Sequence, residues 1–151
     1  MLLTDVKIEA RGRVRPMARY DAPVVAAMMA RLVHQRDAQP SIDAITLGDK
    51  LATTSPLCHG LVVERFGYVV GYATMAVDEI ASALVLQQIF IIEGSRGRGL
   101  GRALVEAAAD LARQAGYRRI VARAPTGRAY GFYDALHFDD AGRGYLSRAL
   151  V

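Results

Sequence analysis

The amino-acid sequence predicts a single α/β domain over residues 1–151, built on one mixed sheet with helices on both faces. Three observations predict it. Strand-like apolar runs outnumber segments of helical periodicity, in the order βααβββαβαβ. Nothing in the composition marks a linker, a low-complexity segment or a repeat. A strongly apolar run, Leu84 to Ile92, broken only by Gln87 and Gln88, passes through a glycine turn directly into an amphipathic helix.

Val6 to Val14 alternates Val6 and Ile8 with Lys7 and Glu9, a first strand that Pro16 closes. Asp21, with Pro23 just behind it, starts a helix. Val24, Met28, Leu32 and Val25, Met29, Val33 give that helix its apolar stripe. Gln39-Pro40-Ser41 breaks the chain before a second helix from Ile42 to Leu51. Leu57 to Phe66 and Tyr68 to Val77 make a hairpin about Phe66-Gly67. Asp78 to Ser82 connects it to the central strand, Ala83 to Ile92. The following helix, Gly101 to Ala115, carries Leu104, Ala108, Leu111 and Ala115 on one face, with Gly116 as its stop. Arg119 to Arg123 is a further strand and Arg128 to Leu136 a short helix. Phe138 and Tyr145 to Leu150 supply the last strand or strands.

A chain of 151 residues buries about 68–70% of its unfolded surface on folding and needs no covalent staple. One cysteine, Cys58, excludes an internal disulfide framework and suits a reducing compartment, so a cytoplasmic protein is expected. MLLTDVKIEARGR lacks the apolar core of a signal peptide, and no run reaches the length of a membrane span. No membrane partner is expected. Of 19 basic residues 17 are Arg, clustered at Arg11, Arg13, Arg15, Arg19 and again at Arg96, Arg98, Arg102. A polyanion or a phosphorylated cofactor could use such clusters. No nucleic-acid partner is expected, because the chain has no RNP-like aromatic motif, zinc signature or helix-turn-helix. No metal is expected either, since no ligand cluster is visible.

The turn Arg96-Gly97-Arg98-Gly99-Leu100-Gly101 carries the functional information. A strand, a glycine turn and a helix start present bare backbone N–H groups to a phosphate. A dinucleotide fingerprint counted from Gly99 would need a third glycine where Leu104 stands, and an acidic residue near Arg119. A Walker loop needs Gly-Lys-Ser/Thr, but the only lysines are Lys7 and Lys50. A glycine-rich connection that merely lets helix and sheet pack closely would also account for the turn taken alone.

Arg96-x-x-Gly99-x-Gly101 resembles the (Arg/Gln)-x-x-Gly-x-(Gly/Ala) signature of the GNAT superfamily of acyl-CoA N-acyltransferases. Gly131-Phe132-Tyr133-Asp134-Ala135-Leu136-His137-Phe138 is similar to the family's Phe-Tyr-x-x-x-Gly-Phe segment, and Arg13-Val14-Arg15-Pro16 with Asp21 to its opening. The resemblance spans essentially the whole chain. It implies a mostly antiparallel mixed sheet that splays at a bulge in the central strand. It also implies that acetyl-CoA is the co-substrate. Arg96, Gly97, Arg98, Gly99, Leu100, Gly101 and Arg102 would hold its pyrophosphate. The main chain of Ile89, Phe90 and Ile91 would pair with its pantetheine arm, and Thr126 stands where the family has an Asn that assists. A helix N-terminus adds about 0.3–1 kcal/mol against an exposed anion.

By the same resemblance Tyr133 lies near the thioester sulphur and protonates the departing thiolate. With a phenol near ~10 and a thiol near ~8.5 that transfer is uphill by ~2 kcal/mol in water, and desolvation of the thiolate closes the gap. A packing tyrosine is the alternative for this position. An aliphatic amine near ~10.4 is about one part in a thousand neutral at pH 7.4, so a base or water chain assists. Polyamine acetyltransferases, which the hairpin and strand pattern resemble, carry Glu-Asp where this chain has Gln87-Gln88. Gln can orient a substrate but takes no proton, and alternation lets one of the pair face the acceptor. Glu93, Glu64, His34 and His59 are the substitute bases, Glu93 first, each with a structural alternative. His137 replaces a glycine that often takes positive φ, a conformation His tolerates better than most residues. Cys58 reads as a packing residue.

The resemblance implies an N-acetyltransferase that moves acetyl from acetyl-CoA to a primary amine of a small molecule in a ternary complex, as a homodimer joined near the last strand. A protein or peptide N-acetyltransferase, or a non-catalytic acyl-CoA-binding regulator on the same fold, are the alternatives.

Overall fold

The computed structural model describes residues 12–36, 43–53, 60–123 and 127–150. The elements are β1 (Arg13–Pro16), α1 (Ala22–Arg36), α2 (Ala44–Thr53), β2 (Gly60–Arg65), β3 (Tyr68–Asp78) and β4 (Ala83–Ile91). They continue with α3 (Leu100–Gln114), β5 (Arg119–Arg123), α4 (Gly127–Ala135), β6 (Asp139–Gly142) and β7 (Tyr145–Ala149). Short 3-10 turns at Arg19–Asp21 and Glu93–Ser95 precede α1 and follow β4.

The strands form one seven-stranded sheet in the order β1-β2-β3-β4-β5-β7-β6, in which only β4 and β5 run parallel. The crossover that parallel pairing requires is α3. Helices cover both faces, as the sequence predicts. On one face Leu84, Leu86, Met75, Ile120, Ala122 and Leu146 pack beneath Leu104, Val105, Ala108, Ala109 and Ala112 of α3 and Tyr133 of α4. On the other, Val62, Tyr72 and Phe90 pack beneath Val25, Met28 and Met29 of α1 and Leu47 of α2.

Local chemistry explains the boundaries. Phe66 (φ 52) and Gly67 (φ 83) are both left-handed, the paired positive φ of a type I′ hairpin turn, and Arg143 (φ 57) and Gly144 (φ 80) repeat it between β6 and β7. At the end of α3, Tyr117 N–H donates to Ala112 C=O (2.9 Å) and Gly116 N–H to Arg113 C=O (3.0 Å). With Gly116 at φ 86 this is a Schellman stop. Asp43 caps α2 by accepting from the Thr46 N–H at 2.8 Å and the Thr46 hydroxyl at 3.0 Å, which holds its carboxyl below the usual range.

Several expectations are corrected. β1 runs past the expected end at Val14 and closes on Pro16 itself; β1 lies at the sheet edge, where a missing N–H is tolerated. The expected start at Val6 lies outside the described residues. Val24 is exposed although it matches the helical stripe, because α1 turns Val25, Met28 and Met29 inward. Ala115 is the exposed C-cap of α3 and not part of its apolar face, which Val105, Ala109 and Ala112 complete. The chain closes with two strands, β6 and β7, and Phe138 is buried just before the first.

Candidate active site

The glycine turn delivers α3 to the sheet with a bare N-terminus. Gly99, at φ 78, is its N-cap and has no side chain to cap with, and Gly97 is left-handed too, at φ 76. The first intrahelical bond runs from Ala103 N–H to Gly99 C=O at 3.0 Å. The N–H groups of Leu100, Gly101 and Arg102 therefore have no acceptor within the helix. The first turn contains no carboxylate, while Arg98 and Arg102 stand exposed beside it. This end carries the positive end of the helix dipole and suits a phosphate.

Beside that turn the sheet opens. β4 and β5 pair from Ala83–Arg119 to Leu86–Ala122, and the described ladder ends there. On the β3 side the register jumps from Met75–Leu86 to Thr74–Gln88, so Gln87 is a bulge in β4. The bulge reverses which face alternate residues take: Leu84 and Leu86 face α3, whereas Gln88 and Phe90 lie on the α1 side. Ile92 N–H donates to Val70 C=O at 2.9 Å. Alternation then directs the main-chain groups of Phe90 at Tyr72 and those of Ile89 and Ile91 into the opening. Of the three residues expected to pair with a pantetheine arm, Ile89 and Ile91 thus turn their backbone that way, although the Ile91 C=O already accepts from Arg96 Nε–H at 2.8 Å. Phe90 is engaged with β3.

Arg96 is drawn away from the turn. Its Nε–H donates to Ile91 C=O at 2.8 Å, and its guanidinium carbon sits 5.7 Å from the centroid of the Phe90 ring. It braces the end of β4, leaving its terminal nitrogens for an anion.

α4 closes the opening from the α3 side. A Cβ on Gly101 would lie 3.2 Å from Cε1 and Cζ of Phe132 and 3.9 Å from Cδ1 of Ile89, so helix start, α4 and β4 converge at one point. Tyr133 is buried at 3% exposure, with its ring 4.9 Å from Phe132 edge-on and 5.2 Å from Phe138. It belongs to the core on the α3 face of the sheet, which also holds Leu86 and Ala122, the last residues paired between β4 and β5. Arg148 of β7 pins α4 in turn. It donates to both Glu106 oxygens, at 2.8 and 3.1 Å, and to Leu136 C=O at 3.3 Å, and its guanidinium stands 5.8 Å from the Phe138 ring centroid. The Arg148 hydrogen bond holds the Glu106 carboxyl below the usual range.

The remaining candidates are dispersed. Gln87 is exposed on the bulge, and Gln88 Oε1 accepts from the fully buried Tyr72 hydroxyl at 3.1 Å. Glu93 is exposed in the turn beyond β4, two residues after Ile91 and five after Gln88. Glu64 is bound to Arg15 Nε, and Arg15 also makes a bidentate pair with the buried Asp21 at 2.7 and 2.8 Å. These two carboxylates fasten β1 and β2 to the start of α1, and they raise the Arg15 pKa above its ordinary value, Asp21 more than Glu64. His137 takes φ 67 and is exposed, the structural role expected of it. Thr126, Cys58 and His59 lie outside the described residues, as does the side chain of His34. Among the described residues no group of three His, Cys, Asp or Glu is placed to hold a metal, and no helix is long and apolar enough to cross a membrane. Phe132, Arg123 and Arg148 were not singled out by the sequence; only Phe132, beside Tyr133, lay within a motif.

A bare helix start beside a central strand whose far end has no described neighbour on the β5 side suits a phosphate-bearing cofactor with an extended, amide-containing arm. The sequence model of the Acetyltransferase (GNAT) family matches residues 25–138, and the chain belongs to that family. No curated protein sequence matches the chain. Among solved structures it is similar to yncA from Salmonella typhimurium with its cofactor acetyl-CoA, at 19% identity over 93% of this chain and 95% of that one, TM-score 0.76. It is similar to the ribosomal-protein-alanine N-acetyltransferase of Brucella melitensis, at 21% identity over 91% and 99%, TM-score 0.77. It is also similar to the paia N-acetyltransferase of Thermoplasma acidophilum in complex with coenzyme A, at 10% identity over 91% and 98%, TM-score 0.73. At these identities the likeness is one of fold.

Proposed function

We propose that the chain transfers acetyl from acetyl-CoA to a primary amine of a small molecule, with both substrates bound together. One observation carries this reading. The uncapped start of α3 and the opening between β4 and β5 meet at Gly101, Ile89 and Phe132, whose ring packs edge-on against buried Tyr133. The amides of Leu100 to Arg102, with Arg98 and Arg102, bind the pyrophosphate. Ile89 and Ile91 orient the pantetheine arm, and a β4 backbone N–H polarises the thioester carbonyl. The acceptor amine approaches from the α1 face, past Gln87 and Gln88. As the new C–N bond replaces the C–S bond, the Tyr133 hydroxyl gives its proton to the sulphur, the amine's proton leaves to water, and water returns a proton to Tyr133. Burial of Tyr133 keeps that transfer out of bulk water, where the thiolate would be less basic.

Free-thiol release on mixing the protein with acetyl-CoA and a panel of amines and peptide N-termini tests the reading. Turnover of a small amine supports it. Turnover of peptides alone makes the chain a peptide N-acetyltransferase, and tight acetyl-CoA binding without turnover makes it a regulator. The reading also takes the chain as a cytoplasmic homodimer joined near the last strand, β7, beside which β6 forms the sheet edge with its four residues exposed. Sedimentation of the purified protein checks that assembly.

A further inference from the structure

The face of the sheet turned away from α3 is only partly covered. α1 and α2 pack on Val62, Tyr72 and Phe90, over β2 to β4. On β5, Ile120 and Ala122 are buried toward α3, so Arg119, Val121 and Arg123 lie on the opposite face. Register places Tyr145, Ser147 and Ala149 of β7 beside them, and these six positions are exposed or half-exposed.

Cross-strand register orders this face in rows. One row runs Ala76, Val85, Val121, Ser147. The next runs Thr74, Gln88, then the opening, then Arg123 and Tyr145. Arg123 comes one residue after the last β4–β5 pair, so Gln88 and Arg123 flank the mouth of the opening on the side from which an acceptor arrives. Arg123 is exposed and makes no ion pair or hydrogen bond among the described residues. The described strand carboxylates on this face stand away from the opening: Asp78 at the β3–β4 turn, Asp139 on the outer strand, and Glu64 on β2, which is bound to Arg15. Asp78 is already occupied there by the Ala81 N–H, at 3.0 Å.

We infer that the acceptor is a small amine that also carries a carboxylate, which Arg123 holds beside the opening. The inference rests on the acetyl-transfer reading and names its substrate class. A guanidinium binds a carboxylate through two parallel hydrogen bonds and is always charged. A polyamine would bring further positive charge against it, with no described carboxylate at the mouth to offset the repulsion. The same cation disfavours the ammonium form of a nearby amine. It thereby helps supply the neutral nucleophile where Gln87 and Gln88 take no proton.

The test compares amines that differ only by the carboxylate: tyrosine with tyramine, phenylalanine with phenethylamine, lysine with cadaverine. Wild-type kcat/KM is expected to favour the carboxylate member of at least one pair by tenfold or more. Arg123→Ala should abolish the preference and Arg123→Glu should turn it toward cadaverine. Calorimetry on the coenzyme A complex supplies a second readout. The amino carboxylate should bind, and Arg123→Ala should weaken that binding at least tenfold with coenzyme A affinity unchanged. Preferences within threefold in every pair, an unaffected Arg123→Ala variant, or no carboxylate binding at all would overturn the inference. Arg123-dependent binding without acetylation upholds the site and sinks the transfer reading, so the two failures are distinct.

Discussion

The ring edge of Phe132 occupies the space a side chain on Gly101 would need, 3.2 Å from the Cβ position. The family signature allows alanine at this position; in this chain Phe132 opposes it. Gly101→Ala gains about 1 kcal/mol of helix propensity and meets overpacking of about 1–3 kcal/mol. The expected result is a net loss of stability in urea unfolding that Phe132→Leu relieves, with a coupling of at least about 0.5 kcal/mol between the two substitutions. Additive effects would show that the contact carries no strain.

Gly99 supplies the left-handed turn that aims the first amides of α3. Gly99→Ala is expected to cost about 1 kcal/mol of stability and to weaken acetyl-CoA at least tenfold in calorimetry, because a Cβ is strained at φ 78. Arg98→Ala and Arg102→Ala should each weaken binding and make it less sensitive to salt. Arg96→Ala should instead loosen the end of β4, since its Nε–H holds Ile91 C=O.

Gly71 faces Ile91 across the β3–β4 pair, and a Cβ there would lie 2.6 Å from the Phe90 carbonyl oxygen. Backbone of a central strand cannot step aside cheaply. Gly71→Ala is expected to lower unfolding free energy by about 2 kcal/mol or more, within the range of overpacked core sites. A change below about 0.5 kcal/mol would mean the sheet yields there.

The Glu106–Arg148 pair sets an acid limit on the α3–β7 contact. Because the folded carboxyl is held below its ordinary value of about 4.3, its stabilisation is complete above about pH 5 and disappears as pH falls through the acid range. Glu106 is 41% exposed, so the pair is worth less than about 1 kcal/mol. Glu106→Gln should therefore lower Tm slightly at pH 7 and not at pH 3, measured by thermal unfolding across that range.

Much of the fold was legible in the sequence because it depends on local chemistry. Gly116 stops α3, Phe66-Gly67 turns a hairpin, and His137 takes the positive φ of the glycine it replaces. The bare helix start at the glycine turn was legible because its amides are adjacent in sequence. What stayed hidden depends on partners distant in the chain. The bulge at Gln87 exists only relative to β3, and it reverses the faces that alternation assigns beyond it. The bond from Arg96 Nε–H to Ile91 C=O is likewise invisible in sequence, although it leaves the terminal nitrogens of Arg96 for an anion. Arg123 became a candidate only when register set it across the opening from Gln88.

The account turns on acetyl leaving coenzyme A over Tyr133, and the direct measurement is mass-spectrometric detection of N-acetylated amine alongside free thiol. Wild-type protein is expected to form the two in equal amounts, and Tyr133→Phe to do so at least a hundredfold more slowly while still binding acetyl-CoA. An unchanged rate in Tyr133→Phe, or thiol released without acetylated product, would contradict it.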